Sequence, residues 1–282
     1  KETRLSLDSK NRDMLSKAAY FTLTFLFFYS IGKSQMKTEI GMLLGQSYYL
    51  GDLNPTTQFP GGHTHFSWGL IIRQPINERW AFKAQYYSSK LSGSDASSSS
   101  VAAQNRNLSF ETPLNEFSWQ FEFNFARYHS FIIRHHFSPY LFGGLGLGFI
   151  NPRAEFNGNQ YDLRELLTEG QDRPYNKAQF VIPFGFGLKF KFSHRFMFAF
   201  EYGIRRTFTD YIDDVSTSYP DDPAILTTTA QALSTRNKND ENRNIWGTQR
   251  GNPSKNDFYT HTSFTLTVRL GKQPNLCRYN TQ

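Results

Sequence analysis

The clearest hydrophobic pattern in the sequence lies between residues 179 and 205, where two alternating stretches are joined by a short segment at 193–195. One set of alternate positions is apolar and largely aromatic: Phe180, Ile182, Phe184, Phe186, Leu188, Phe190 and Phe192, then Phe196, Phe198, Phe200, Tyr202 and Ile204. The other set carries glycine and charge. Successive side chains of a strand point to opposite faces, so the pattern predicts a β-hairpin with one aromatic face. An apolar outer face around a polar interior is typical of a transmembrane β-barrel.

Alternation of the same kind recurs along the chain and predicts eight strands. Besides the two in this hairpin, they cover residues 39–50, 63–73, 80–91, 115–127, 137–150 and 258–270. A tilted strand crosses a bilayer with about 9–11 residues, and each predicted strand is long enough. An even number of strands can close without free edges, which hydrocarbon requires because unpaired backbone groups find no water there.

The connections between these strands alternate strictly between short and long. The short ones are 74–79, 128–136 and 193–195, and the long ones are 51–62, 92–114, 151–177 and 207–257. Short periplasmic turns and long outer loops are the arrangement of outer-membrane barrels. The sequence therefore predicts an all-β fold, an eight-stranded antiparallel transmembrane β-barrel in the cell outer membrane, with short periplasmic turns and long extracellular loops.

The N-terminal part of the sequence has a different character. A nearly continuous apolar run covers residues 18–31, follows Lys17 and precedes small residues. It is too short for a comfortable transmembrane helix and resembles a secretory signal peptide. We expect Met14 to be the start, residues 1–34 to be an extension and signal peptide, and residues 35–282 to form the barrel domain.

Composition excludes some classes of function. The 282 residues carry a formal net charge of +7 without a Lys/Arg-rich stripe, so we expect no nucleic-acid partner. The single cysteine, Cys277, offers no disulfide framework. Aromatic residues make up 17% of the chain, which suits strands.

Charged residues on the inward positions of the strands form the candidate site. Those expected to face the lumen as a structural charge network are Glu39, Arg73, Lys83, Glu122, Lys189, Glu201 and Arg205, and Lys191 and Arg269 are expected to face the lumen as well. The interior of an eight-stranded barrel is just wide enough for its own side chains, so we expect these charges to pair as a plug. A proton or ion path is the alternative.

Other candidate chemistry is weaker. Residues 143–148 (GGLGLG) are not followed by a helix pattern, so we expect lumen-facing glycines in place of a nucleotide loop. The aspartates of the longest connection match no EF-hand spacing and are expected to be solvated, with a cation site as the alternative: Asp210, Asp213, Asp214, Asp221 and Asp222. The histidine pairs lack zinc-site ligands, and no Ser, Asp and His set stands out as a triad. We expect no enzymatic activity, catalytic residue, metal or cofactor; an acyltransferase or protease built on the loops is the alternative.

Short helices are predicted within two of the long connections. One is expected over residues 161–169 with Gly170 as its stop, and one over 224–233 with Asp222 as N-cap and Pro223 in the first turn.

Several motifs resemble the PorG-like barrels of Bacteroidetes. They are residues 39–41 (EIG), 49–54 (YLGDLN), 210–219 (DYIDDVSTSY), 250–253 (RGNP) and 256–259 (NDFY). The resemblance covers residues 37–270; the segment 234–244 and the polar tail after Leu270 depart from it.

The resemblance implies a non-enzymatic outer-membrane component of the type IX protein secretion system, which supports gliding motility in some members. Its implied partners are outer-membrane lipid, a periplasmic ring lipoprotein (PorK or GldK) and the subunit PorN or GldN, which the barrel would anchor or position. An adhesin or ligand-binding barrel acting through its extracellular loops is the alternative, and a small-solute channel is a third reading.

Overall fold

The computed structural model describes residues 37–54, 57–127, 137–193, 195–236 and 245–271. The expected signal peptide, the connection at 128–136, residues 237–244 of the segment 234–244 and Cys277 lie outside the described residues. The fold below concerns the described ranges.

Ten strands are present, and eight of them form the barrel. Their bounds are β1 Glu39–Leu50, β2 His65–Pro75, β3 Trp80–Ser94, β4 Ser109–Asn124, β5 Phe137–Ile150, β6 Arg153–Phe156, β7 Asn159–Asp162, β8 Ala178–Lys191, β9 Phe196–Thr207 and β10 Phe258–Arg269. The hydrogen-bonded order runs β3-β2-β1-β10-β9-β8-β5-β4, and a further pairing of β3 with β4 closes the ring. Every pairing is antiparallel. The predicted closed eight-stranded antiparallel barrel is confirmed.

Alternate side chains along each barrel strand point outward and remain exposed. On β4 these are Phe117, Trp119 and Phe121, about half exposed at 48%, 51% and 50%. The hairpin of β8 and β9 shows the same alternation of outward and inward side chains, with Phe184 and Phe186 exposed. Water would not solvate such a continuous aromatic belt favourably, so the barrel wall suits a hydrocarbon environment. Within the described ranges, no helix has the length and apolar character needed to cross a membrane.

The long connections contain three short helices, α1 Val101–Arg106, α2 Leu163–Leu166 and α3 Thr228–Ser234. The helix expected over 161–169 is shorter than predicted, because Leu167 adopts a left-handed conformation with φ of 53°. The one expected over 224–233 is divided. Asp222 caps a 3-10 turn over Pro223–Ile225, Leu226 is extended, and the Thr227 hydroxyl caps α3.

The hydrophobic core lies at the end of the barrel that carries the long connections, here called the long-loop end. Its buried residues come from strand ends and from connections alike: Leu43, Tyr49, Leu53, Ile71, Tyr87, Leu91, Leu108, Phe110, Leu114, Ile150, Ala154, Leu163, Val181, Ile212, Val215, Leu233 and Tyr259. The described parts of the long connections therefore pack over the barrel mouth as a folded cap. The opposite end, with its short connections, is the short-turn end.

The sheet continues above the barrel wall on one side. β2 pairs with β3 only as far as Trp68 and Ser88, whereas β3 and β4 stay paired up to Ser94 and Ser109. The small hairpin of β6 and β7 adds to β4 where Glu111 faces Arg153. At the long-loop end, β3, β4, β6 and β7 therefore form a four-stranded sheet on one side.

Candidate functional site

The seven charged residues expected in the lumen all lie inside the barrel. Each is at most 2% exposed: Glu39, Arg73, Lys83, Glu122, Lys189, Glu201 and Arg205. Their strands alternate as the sequence pattern requires, so these charged side chains point inward while the aromatic side chains beside them in the sequence point outward. Six of the seven belong to one connected network of ion pairs, and Arg205 belongs to another.

Glu122 on β4 is the centre of the larger network. Its carboxylate lies 2.8 Å from Nε of Arg73 and 2.5 Å from Nζ of Lys189, and Lys83 Nζ lies at 3.5 Å. One carboxylate thus faces three cations from three other strands. In an interior of low polarity, each of these charges depends on the others for its stability.

A second carboxylate, Glu201 on β9, faces two of the same cations. Lys83 Nζ lies 2.7 Å from it, Arg73 Nη2 lies at 3.6 Å, and the Tyr140 hydroxyl donates to it at 2.5 Å. Gly187 makes room for this tyrosine, because a Cβ at that position would lie 2.5 Å from the Tyr140 ring. The glycine on the lumen face is therefore part of the packing of the plug.

Toward the short-turn end the network continues through Glu39 on β1. Arg73 and Arg269 each lie 3.2 Å from one of its carboxylate oxygens. The ion pairs thus connect β10, β1, β2, β4, β3, β8 and β9 across the lumen. Their arrangement fills the interior and ties the strands together.

Arg205 lies apart, closer to the long-loop end, and pairs with Glu116 on β4 at 3.4 Å. The hydroxyls of Tyr87 and Tyr259 both donate to Glu116 Oε2 at 2.8 Å. Sequence reasoning missed Glu116. Its position could have been found, because it shares the inward parity of Glu122 along β4.

Above the lumen, the cap is held by buried acidic side chains. The Tyr49 hydroxyl lies 2.6 Å from Asp213 Oδ2 and 2.6 Å from Asp257 Oδ1. These carboxylates also accept hydrogen bonds from the backbone N–H groups of Val215 and Ile212, both at 2.9 Å. Tyr49 therefore fixes both ends of the longest connection to the end of β1.

A second cluster joins the connection before β8 to the longest one. Glu169 accepts hydrogen bonds from the backbone N–H groups of Ser216 at 2.8 Å and Thr217 at 3.0 Å, and from Arg250 Nη1 at 3.0 Å. Arg250 also lies 3.5 Å from Asp214 and is 3% exposed. Glu169 gave no signal in the sequence, because no periodicity marks a loop residue.

Arg106 connects three further parts of the cap. Its guanidinium forms a bidentate ion pair with Asp95, both contacts at 2.8 Å. It also donates to the backbone carbonyls of Arg250 at 2.5 Å and Asp52 at 3.3 Å. The planar fork of arginine suits such a junction.

The expectation of a solvated acidic loop is wrong for three of its five aspartates. Asp210, Asp213 and Asp214 are at most 7% exposed, whereas Asp221 and Asp222 are exposed. Burial raises the pKa of Asp210 to about 7 and that of Asp214 to about 6, and it raises the pKa of Asp213 well above its ordinary value. The nearby Asp52 charge raises the pKa of Asp210 further.

The alternative of a cation site at these aspartates finds no support in the geometry. Within the part of the chain that the structure describes, no group of three or more His, Cys, Asp or Glu is placed to hold a metal ion. The carboxylates of Asp213 and Asp214 are held by tyrosine hydroxyls, a backbone N–H group and Arg250.

Three comparisons place the chain among known proteins. A sequence model of the family described as "Domain of unknown function (DUF6089)" matches residues 17–279. No curated protein matches the sequence.

Solved structures of small membrane barrels match the fold at low identity. Neisserial surface protein A is similar at 10% identity with a TM-score of 0.42, covering 83% of this chain and 97% of that one. The N-terminal β-barrel domain of Pseudomonas aeruginosa OprF is similar at 9% identity with a TM-score of 0.38, covering 84% and 100%. Ail, the attachment invasion locus protein of Yersinia pestis, is similar at 12% identity with a TM-score of 0.38, covering 83% and 100%.

Proposed function

Because the chain belongs to the DUF6089 family, whose description assigns no activity, we propose its role from the barrel itself and from the PorG-like motifs. The proposed role is that of a non-enzymatic outer-membrane component of the type IX secretion system. The barrel would anchor or position a periplasmic ring made of a lipoprotein (PorK or GldK) and PorN or GldN. Its short-turn end would face the periplasm and its cap the exterior.

The observation that carries an anchoring role, and argues against conduction, is the filled lumen. Glu122, Lys189 and Arg73 are each at most 1% exposed and lie in contact across the barrel axis. A barrel of eight strands has no spare width once its own side chains occupy the interior. Such a barrel cannot pass a folded cargo protein, so a role in secretion would be one of attachment.

The short-turn end offers the surface for that attachment. Asn77 and Arg79, between β2 and β3, are exposed, and Arg127 beyond β4 pairs loosely with Glu78 at 3.5 Å. Exposed ion pairs of this kind contribute little to stability, so these charges are available to a partner. The exposed Arg195, just before β9, belongs to the same end.

Site-specific photocrosslinking in intact cells tests this proposal. A photoreactive amino acid at Asn77 is expected to capture the ring lipoprotein. The matched control places it at Arg173, which is also exposed but lies at the long-loop end. Capture from Arg173 and not from Asn77 would contradict the proposed orientation.

Charge reversal gives an independent measurement of the same contact. Arg79→Glu combined with Arg127→Glu is expected to weaken pull-down of the ring lipoprotein, while Arg173→Glu leaves it unchanged. Unchanged pull-down by the double variant, with normal barrel assembly, would contradict the proposal.

The folded cap favours a second candidate, an adhesin or ligand-binding barrel that acts through its extracellular loops. A cleft of about 520 Å³ lies in the cap and is lined by Asp52, Arg106, Tyr219 and Arg250 among others. Deleting residues 221–244 separates the two candidates. Loss of binding to cells or matrix with intact secretion would favour the adhesin, and intact binding with intact secretion would favour periplasmic anchoring alone.

A further inference from the structure

Ser92, near the end of β3, lies between two imidazole rings. Its Oγ lies 2.6 Å from Nε2 of His65 and 2.9 Å from Nδ1 of His63. His63 reaches the hydroxyl from the connection before β2, and His65 is the first residue of β2. The serine is 4% exposed, whereas the two imidazole rings are only partly buried. None of the lumen or cap clusters includes these three residues.

The number of protons available to this group fixes which atom donates and which accepts in each hydrogen bond. A hydroxyl has one proton, so one imidazole accepts it and the other donates an N–H to the same oxygen. Ser97 Oγ donates to the Ser94 carbonyl at 2.9 Å, which leaves its oxygen to accept from His63 Nε2 at 3.2 Å. His63 is then the Nε2–H tautomer, its Nδ1 accepts the Ser92 proton, and His65 donates.

His63 is suited to accept that proton at neutral pH. Burial lowers the pKa of its imidazole below the usual value, and the negative charge of Glu111 opposes the shift. The ring is therefore neutral at pH 7 and becomes charged only when it takes a proton. Glu111 lies directly opposite Ser92 in the pairing of β3 with β4, where it favours the imidazolium that forms.

A cavity adjoins the serine. It has a volume of about 310 Å³ and is lined by His63, Ser92, Phe110, Glu111, Arg153 and Gln160 among others. Arg153 faces Glu111 across the pairing of β4 with β6, so a row of side chains runs from Ser92 over Glu111 to Arg153. Neighbouring strands are about 4.8 Å apart, which places Arg153 about 10 Å from the serine. The cavity is large enough for the acyl part of an ester and has a polar far end.

The position of the cavity indicates where a substrate would come from. Phe66 and Trp68, the outward aromatic residues at this end of β2, are 66% and 47% exposed and belong to the apolar belt. Ser92 lies four residues beyond Ser88, the partner of Trp68, and so just outside that belt. Molecules of the lipid–water interface have the shortest path to this site.

We propose that Ser92 is the nucleophile of an esterase site, with His63 as general base and His65 as hydrogen-bond donor, acting on carboxylic esters at the lipid–water interface. This activity goes beyond anchoring and lies at the opposite end of the barrel from the proposed ring contact. Either proposal can therefore fail without the other. A positive result would replace the expectation that the chain has no enzymatic activity.

The proposed reaction uses water and balances without a cofactor. Ser92 Oγ bonds to the carbonyl carbon while its proton passes to His63 Nδ1, and the His65 N–H is free to donate to the developing oxyanion. The carbon–oxygen bond to the alcohol then breaks, and the alcohol leaves with the proton from His63. Water attacks the acyl–serine, gives a proton to His63 and releases the carboxylic acid. The proton of His63 then returns to Ser92.

Labelling of the unmodified, folded barrel in detergent micelles tests the nucleophile directly. A fluorophosphonate probe is expected to form a covalent adduct that peptide mapping places on Ser92. An adduct on another serine, or none at all, would overturn the proposal. This measurement requires no variant and is therefore independent of any folding defect.

Hydrolysis of 4-nitrophenyl butyrate provides the second readout. Ser92→Ala is expected to lower the rate about 100-fold or more, while Ser88→Ala, on the same face of the same strand, leaves it unchanged. The wild-type rate should rise with pH through a value below 6.5 as His63 loses its proton, and His63→Gln should remove that rise. Equal rates for the Ser92 and Ser88 variants would contradict a catalytic role.

Discussion

The hydroxyl of Tyr49, at the end of β1, lies 2.6 Å from Oδ1 of Asp257, which is 208 positions later in the sequence. Asp213 lies at the same distance from the same hydroxyl. A phenol has one proton and can donate to only one of the two carboxylates. The second contact is favourable when a carboxyl itself carries a proton, and burial raises the pKa of both Asp213 and Asp257 well above the ordinary value.

The raised pKa values of the buried aspartates predict that the cap loosens as the pH rises. The pKa of Asp210 is raised from 3.8 to about 7 and that of Asp214 to about 6. A group with a raised pKa in the folded state contributes stability that is fully present below its unfolded pKa and is lost as the pH rises through the folded value. We expect the backbone N–H of Ile212, which donates to Asp257, to lose protection from hydrogen exchange between about pH 4 and pH 7, after correction for intrinsic exchange.

Asp210→Asn should flatten this dependence, because an amide needs no proton to be neutral. Asp221→Asn is the matched control, since Asp221 is exposed on the same connection. The same pH profile in the wild type and in Asp210→Asn would show that Asp210 is not a source of the effect.

Removing the central carboxylate of the lumen is expected to be costly. Glu122→Gln leaves Lys189, Lys83 and Arg73 facing one another without their shared partner. The loss of one member of a buried ion pair costs about 3–5 kcal/mol. Denaturant unfolding of the barrel in micelles measures the change in the free energy of unfolding.

Glu78→Gln serves as the control for that measurement. Glu78 belongs to an exposed pair with Arg127, so its replacement should change the free energy of unfolding by less than about 0.5 kcal/mol. Similar effects of the two variants would mean that the lumen charges contribute no more than surface charges.

The filled lumen predicts a barrel that does not conduct. Purified protein inserted into a planar bilayer should leave the conductance at the level of the bare membrane, because Arg73, Lys83 and Glu122 occupy the axis. The control is a porin of known conductance inserted under the same conditions. Regular, voltage-stable conductance steps from the wild-type chain would favour the small-solute channel and contradict the plug.

Glu169 is expected to be the main clamp between two of the long connections. Glu169→Gln removes the negative charge that faces Arg250 and weakens the contacts with the N–H groups of Ser216 and Thr217. The expected cost is about 1–3 kcal/mol, the range for a buried hydrogen-bonded group that loses its partner. Limited proteolysis should cut the cap faster, with the barrel wall intact.

Glu165→Gln is the matched control for the clamp. Glu165 lies four residues earlier in the same connection, and its side chain is 56% exposed. Faster cleavage in this variant as well would indicate a general sensitivity of the connection and would argue against a specific clamp.

Much of the barrel could be predicted from the sequence because alternation records which face of a strand meets hydrocarbon. β1 has the predicted bounds, and the inward charges are those that alternation selects. β4 begins at Ser109, six residues earlier than predicted. Pro113 interrupts the alternating pattern in the sequence, but in the structure it pairs with Lys90 and the strand continues through it. Alternation gives the face of each residue and leaves its position along the barrel axis undetermined.

The partners of the site residues could not be predicted for the same reason. Lys83 and Glu201 meet across the lumen although 118 positions separate them, and only the closed ring brings their strands together. The contacts within the cap leave even less signal in the sequence. Asp213, Glu169 and Arg250 follow no period, so their spacing in the sequence does not mark them as buried.

The wide separation of the cap contacts determines the order in which the molecule can assemble. Tyr49 cannot reach Asp257 before β1 has paired with β10, and that pairing joins the first and last strands of the ring. The cap is therefore completed only after this pairing has formed, and it then acts as a latch on the seam between those strands. Unfolding has to release this latch before the seam can open, so the slow step in dismantling the barrel is expected at the long-loop end.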